Sequence, residues 1–135
     1  MELRKLQKIV IAALEDIKGK EIEVLDTGHL TPLFERIVIA CGDSNRQVRA
    51  LAQNVANKVR EAGGEILSIE GEESGEWVLV DLGDMVVHVM QPEARRYYNL
   101  EELWRDAVPS GTLEPSRPPR PAAHPSIRRS RGGEK

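Results

Sequence analysis

Apolar residues recur along the start of the chain at the spacing of one helical face: Leu3, Leu6, Val10, Ala13, Leu14 and Ile17. Lys5, Lys8, Glu15 and Lys18 fall mostly between them. This spacing predicts an amphipathic helix that ends near Gly19. The pattern then changes period. Glu21 to Leu25 alternates polar and apolar, as a half-exposed strand does, and Asp26 to Pro32 carries the Gly and Pro of a loop. Glu35 to Cys41 contains the continuous apolar run Ile37-Val38-Ile39-Ala40, which predicts a strand buried on both faces. After Gly42-Asp43, Ser44 and Gln47 have the spacing of a capping box, in which each side chain satisfies a free backbone N–H at a helix start. Val48, Leu51, Ala52, Val55, Val59 and Ala62 form the apolar stripe of that helix, and Gly63-Gly64 stops it. Glu65 to Glu70 reads as a third strand and Gly71 to Gly75 as a polar turn.

Trp77 to Leu82 and Met85 to Met90 read as two strands joined at Gly83-Asp84, the length of a tight antiparallel hairpin. Pro92 starts a short helix, and Asn99-Leu100-Glu101-Glu102 caps another running to about Ala107. The order α-β-β-α-β-β-β-α predicts an α/β fold. It is one domain over residues 1–107, with a mixed sheet of about five strands and helices packed on it. From Val108 onward Pro, Ser, Arg and Gly dominate, with Leu113 and Ile127 the main large apolar residues. Residues 108–135 bury too little surface to offset their ordering entropy, so a disordered Pro/Arg-rich tail is expected.

Composition sharpens this picture in two ways. Hydrophobic residues make up 40% of the chain and aromatics only 4%, so the core should be aliphatic. The net charge of −3 is unevenly divided: residues 108–135 hold five Arg and one Lys against two Glu, which leaves −7 for residues 1–107. An acidic body disfavours direct docking on RNA and favours a protein partner, including a basic one. The lone Cys41 excludes an internal disulfide and, in its apolar run, reads as a small buried hydrophobe. The start of the chain lacks a long apolar segment, and no stretch has the length of a membrane span, so a cytoplasmic location is expected.

The sequence offers little for catalysis. His29, His88 and His124 fall in a loop, a strand and the tail, without ligand spacing among them or to Cys41, so no metal site is expected. Ser44 reads as a helix cap, and no G-x-S-x-G elbow is present. The Gly42-Asp43-Ser44 turn before a helix could attract an anion, but it lacks a Walker lysine. The strand after that helix has acids only at its ends, Glu65 and Glu70, so the carboxylate pair a nucleotidyltransferase needs for Mg²⁺ is missing. Asp84 reads as a turn acid. Asp81 and His88, inside apolar strands, could satisfy a backbone group, pair with each other, or face a partner. On β-strand alternation Trp77, Leu79 and Asp81 share one side, and Val78, Val80 and Leu82 the other. With few helices available to cover two faces, the Trp77 side is expected to stand open as a docking surface. Truncating Trp77 to Ala is then expected to weaken binding without unfolding the domain. Tyr97, Tyr98 and Trp104 gather near the same hairpin.

Residues 76–90, Glu-Trp-Val-Leu-Val-Asp-Leu-Gly-Asp-Met-Val-Val-His-Val-Met, followed by Arg95-Arg96-Tyr97-Tyr98-Asn99-Leu100-Glu101-Glu102-Leu103-Trp104, closely resemble the signature of the ribosomal silencing factor family. Ser44-Asn45-Arg46-Gln47-Val48 and Leu25-Asp26 are similar to further hallmarks of that family, so the likeness spans about residues 1–107. The resemblance implies a nucleotidyltransferase-like core without catalytic residues, no cofactor and no enzymatic activity. It implies binding to the fourteenth protein of the large ribosomal subunit, which blocks joining of the small subunit and represses translation. It also implies homodimers in some members. The docking surface it implies comprises Trp77, Leu79, Asp81, Leu82, Gly83, Asp84, Met85, Val87 and Tyr98. The alternatives are a factor for large-subunit assembly, to which a mitochondrial relative points, and a nucleotidyltransferase-like nucleotide binder. Two features depart from the family: the loop His29-Leu30-Thr31-Pro32-Leu33-Phe34, and the tail, whose arginines are candidates for contact with ribosomal RNA phosphates.

Overall fold

The computed structural model describes residues 1–105; the expected tail at 108–135 and its predicted disorder lie outside the described residues. In chain order the elements are α1 (Leu3–Asp16), β1 (Lys20–Asp26), β2 (Arg36–Cys41), α2 (Asn45–Glu61), β3 (Ser68–Glu70), β4 (Trp77–Asp81), β5 (Met85–Met90), α3 (Pro92–Tyr98) and α4 (Leu100–Arg105). The five strands form one mixed sheet in the order β1-β2-β5-β4-β3, as the α/β pattern predicts. Only β2 and β5 pair in parallel, with Arg36 opposite Met85 and Cys41 opposite Met90. The pairs β1/β2, β4/β5 and β3/β4 are antiparallel.

The three central strands are buried almost from end to end, whereas β1 and β3, at the sheet edges, are mostly half-exposed. Burial on both sides follows from the covering layers. On the first face, Val38, Ala40, Val78, Val80, Met85, Val87 and Val89 pack against Leu6, Val10 and Leu14 of α1 and Val48, Leu51, Val55 and Val59 of α2. On the second, Ile37, Ile39, Trp77, Leu79, Val86 and Met90 lie beneath Leu30 and Phe34 of the loop before β2 and Leu100 and Trp104 of α4.

Local bonds place the covering helices. Ser44 Oγ accepts the Gln47 backbone N–H at 3.1 Å, as the capping box predicts, but Gln47 Oε1 accepts from Asp43 N rather than from the cap residue itself. The Gln47 amide nitrogen also donates to the carbonyl of Ile17, and Asn54 Nδ2 donates to the carbonyl of Ala13 at 2.8 Å, so α2 is tied to the last turn of α1. Gly42 permits a close approach: a Cβ there would meet Val48 and Leu51 side-chain carbons at 3.0 and 3.1 Å, tighter than ordinary contact. The third strand is shorter than expected. Glu65 to Leu67 fall outside the ladder, although Leu67 N still donates to the Asp81 carbonyl at 2.8 Å. Asn99 differs too. Instead of capping with its side-chain oxygen, it adopts a left-handed conformation (φ 50°) between α3 and α4, and its amide donates to Glu102.

Replacing Ser44 with Ala removes one acceptor at the start of α2. The expected cost is about 1 kcal/mol in urea-denaturation stability, with the native far-ultraviolet circular dichroism spectrum retained.

Candidate functional site

The hairpin on which the sequence reading centres is built from β4 and β5, with Trp77 opposite Met90 and Asp81 opposite Val86. Its turn is held from three directions. Leu82 N donates to the Met85 carbonyl at 2.9 Å, and the Asp81 carboxylate accepts from Gly83 N at 3.0 Å. The Asp84 carbonyl accepts from Glu35 N and Arg36 N, which joins the turn to the start of β2. Gly83 has φ +93°, a conformation that side chains rarely adopt, so glycine is required for this turn. Asp84 is exposed and Gly83 half-buried. Beside them stands Leu67, 60% exposed, its Cδ1 3.8 Å from where a Cβ on Gly83 would lie.

The remaining predicted site residues do not share this surface. Trp77, Leu79, Met85 and Val87 have no exposed area, and Asp81 and Leu82 are buried as well. They also divide between the two faces: Trp77 and Leu79 belong to the second-face cluster, whereas Leu82, Met85 and Val87 lie against α1 and α2. The expectation of an open Trp77 face is therefore corrected. The count of helices left out the apolar residues Leu30 and Phe34 of an irregular loop, and undervalued the short helices α3 and α4, whose Leu100 and Trp104 also reach over this face. Tyr98 is half-buried, its ring 4.6 Å from that of Trp77, while Tyr97 is 80% exposed. Trp104 is core, 5.5 Å from Phe34 in an edge-on arrangement.

Asp81 and His88, the two polar residues inside the hairpin, do not pair with each other. Asp81 shapes the turn. His88 is wholly buried, and its Nδ1 accepts the Trp77 indole N–H at 2.9 Å, which leaves the ring proton on Nε2. Burial pushes the His88 pKa down from 6.5 to about 3, so the ring stays neutral. The alternation pattern marked His88 as unusual, but its partner eleven positions earlier depends on the strand register.

Sequence reasoning missed Arg95. Its side chain is 9% exposed and gathers three elements around α3. Nε donates to Glu101 at 2.6 Å, and Nη1 donates to the Glu21 carbonyl at 2.7 Å and to Cys41 Sγ at 3.3 Å. Nη2 faces Glu23 at 3.5 Å. The only sequence signal was its place in the Arg-Arg-Tyr-Tyr segment, where a basic residue in a last helical turn reads as ordinary. Cys41 is buried as expected.

A cleft of about 370 Å³ beside this group includes Lys20, Glu21, Cys41, Asp43 and Arg96 in its lining. At its α2 end two of the backbone amides near the helix start are already engaged: Gln47 takes Asp43 N, and Ser44 takes Gln47 N. Asp43 adds a carboxylate there, paired with Lys20. Among the described residues no group of three or more His, Cys, Asp or Glu is placed to hold a metal, and no helix is long and apolar enough to cross a membrane.

Comparison with known proteins agrees with this architecture. The family model described as ribosomal silencing factor during starvation matches residues 1–134. A ribosomal silencing factor of Chromobacterium violaceum is 56% identical over 118 residues, covering 87% of this chain and 97% of that protein. One from Bacillus subtilis is 39% identical over 107 residues, covering 79% and 91%. An X-ray crystal structure of a Chromobacterium violaceum protein superposes with a TM-score of 0.77 at 56% identity, covering 87% of this chain and 98% of that one.

Two consequences can be measured. Removing the Trp77 ring would empty a wholly buried site, so Trp77→Ala is expected to cost about 3–5 kcal/mol of folding stability, read by urea denaturation. The His88 pKa is lower in the fold than in the unfolded chain, so the unfolded chain takes up a proton that the fold excludes. The stability this group contributes is complete above about pH 6.5 and declines as pH falls toward 3. Between pH 7 and pH 5 the loss is about 2 kcal/mol. His88→Asn, whose amide oxygen can still accept the indole N–H, is expected to flatten that slope in urea titrations at the two pH values.

Proposed function

Because the chain belongs to the ribosomal silencing factor family, we propose that it binds the large ribosomal subunit through that subunit's fourteenth protein and thereby sterically prevents the small subunit from joining. The mechanism is occupancy without turnover: a bound copy excludes the small subunit, so repression follows concentration and affinity. The observation that carries this reading is the fixed turn at Asp81-Leu82-Gly83-Asp84 with Leu67 exposed beside it. A rigid turn loses little freedom on binding, and an exposed leucine next to it offers apolar area for desolvation. The body's charge of −7 over residues 1–107 adds long-range attraction to a basic ribosomal protein. In this reading Trp77, Leu79, Met85 and Val87 support the surface from within, and the direct contacts come from the turn, Leu67 and the exposed edge of the Tyr97-Tyr98 pair.

Arg117, Arg120, Arg128, Arg129 and Arg131 complete the proposal as a flanking contact to ribosomal RNA phosphates, which adds a salt-dependent term. Removing residues 109–135 should then make large-subunit binding less steeply dependent on salt, and an unchanged slope would reject the RNA contact.

Leu67→Asp tests the surface itself. Leu67 is mostly exposed, so thermal stability should stay near that of the unaltered chain, while co-sedimentation with isolated large subunits falls at least tenfold, about 1.4 kcal/mol. Undiminished co-sedimentation of the folded variant would remove Leu67 and the adjoining turn from the interface.

A further inference from the structure

The two covers of the sheet are not equivalent. α1 and α2, of 14 and 17 residues, bury an apolar stripe each and are joined by side-chain-to-carbonyl bonds. α3 and α4 have seven and six residues, below the length at which helices hold together on their own. Their junction is Asn99, a non-glycine residue at positive φ. Beneath and within them are buried polar atoms that the protein does not satisfy: Nε2 of His88, Nε1 of Trp104 and Oε1 of Glu101. No such atom belongs to α1 or α2 among the described residues. Each unmet group lowers the stability of the closed arrangement and leaves that of an opened, hydrated one unchanged. Opposing them are the burial of Leu100 and Trp104 and the bonds from Arg95 to the sheet at the Glu21 carbonyl, Cys41 and Glu23.

We infer that α3–α4 is a strap that lifts off the second face of the sheet as a unit, with Arg95 as its latch, uncovering Trp77, Leu79 and Met90 while the sheet, α1 and α2 stay folded. Glu101 and Arg95 are both on the strap, so their bond travels with it; of the Arg95 contacts, opening breaks those to β1 and β2, along with the packing of Leu100 and Trp104 on the sheet. Segments held by short helices and unsatisfied groups form the low-stability units of a fold and open without global unfolding. In the docking reading above, on which this role rests, the basic ribosomal protein gains the Trp77 face as a second surface once the strap is open. The acidic body and the apolar patch it conceals suit that partner by charge and by area.

Hydrogen–deuterium exchange of the free full-length chain, read by NMR or mass spectrometry, tests the strap without any ribosome, so its failure is distinguishable from failure of the docking reading. Amides of residues 92–104 are expected to exchange at least about 100-fold faster than those of β5 and α2. Arg95→Lys, whose single ammonium cannot replace the guanidinium fork, should speed strap exchange a further tenfold or so and leave β5 and α2 unchanged. Trp104→Phe keeps the ring packing, removes an unmet donor and should slow strap exchange about fivefold or more. Exchange of 92–104 at the rate of β5, a uniform acceleration of all elements by Arg95→Lys, or no slowing by Trp104→Phe would overturn the strap.

Discussion

The β4–β5 hairpin is apolar on both faces, and a strand pair of that kind has to be covered twice. Everything around it follows from that constraint. Two long amphipathic helices cover one face, which accounts for their continuous stripes and for the bonds that fix α2 to the end of α1. The other face is covered by an irregular loop and two short helices, which together bring Leu30, Phe34, Leu100 and Trp104 over Trp77 and its neighbours. The hydrogen bond between the Trp77 indole and His88 satisfies the largest polar-bearing side chain on that face and fixes the imidazole as a neutral acceptor. The hairpin thus serves as a rigid beam, and its turn, pinned by Asp81 and Asp84, is the part that meets solvent.

The difference between the two covers gives the molecule a permanent side and a less secure one. The permanent side is held by two long helices tied to each other. The other side holds the unsatisfied polar atoms and depends on one arginine to anchor its short helices to the sheet edge. In the proposed role the protein acts by occupying a surface, and such a role needs no reacting atoms to be positioned. What it requires is a stable frame carrying a shaped, exposed edge, and the pinned turn with Leu67 beside it meets that need. In the same proposal the acidic body suits a basic protein partner, and the basic tail suits a second kind of contact.

Much of this was legible from residue order alone. Periods of 3.6 and 2 located α1, α2 and the strands of the hairpin and centre, because the apolar stripe of α2 and the runs in β2, β4 and β5 are strong and bounded by Gly, Pro or a capping box; α3 and α4 were placed by Pro92 and Asn99. The family likeness was legible too, from the hairpin and the Arg-Arg-Tyr-Tyr segment. Exposure was not. Whether Trp77 faced water depended on what lay across the second face, and the cover came from a loop with no periodic signal and from helices too short to show a stripe. Placing Met85 and Val87 beside Trp77 failed for a related reason: strand alternation sends them to the opposite face once the register across the turn is known. Arg95 was hidden because its role depends on Glu21, Cys41 and Glu101, which become neighbours only in three dimensions.

Subunit joining is the most direct measurement of the proposed role. Purified small and large subunits are mixed, and light scattering reports formation of the complete ribosome as the protein is titrated in. Occupancy predicts that joining falls in proportion to the fraction of large subunits carrying the protein, without nucleotide, and is restored when excess competitor large subunits draw the protein away. Full joining when every large subunit carries the protein would contradict it.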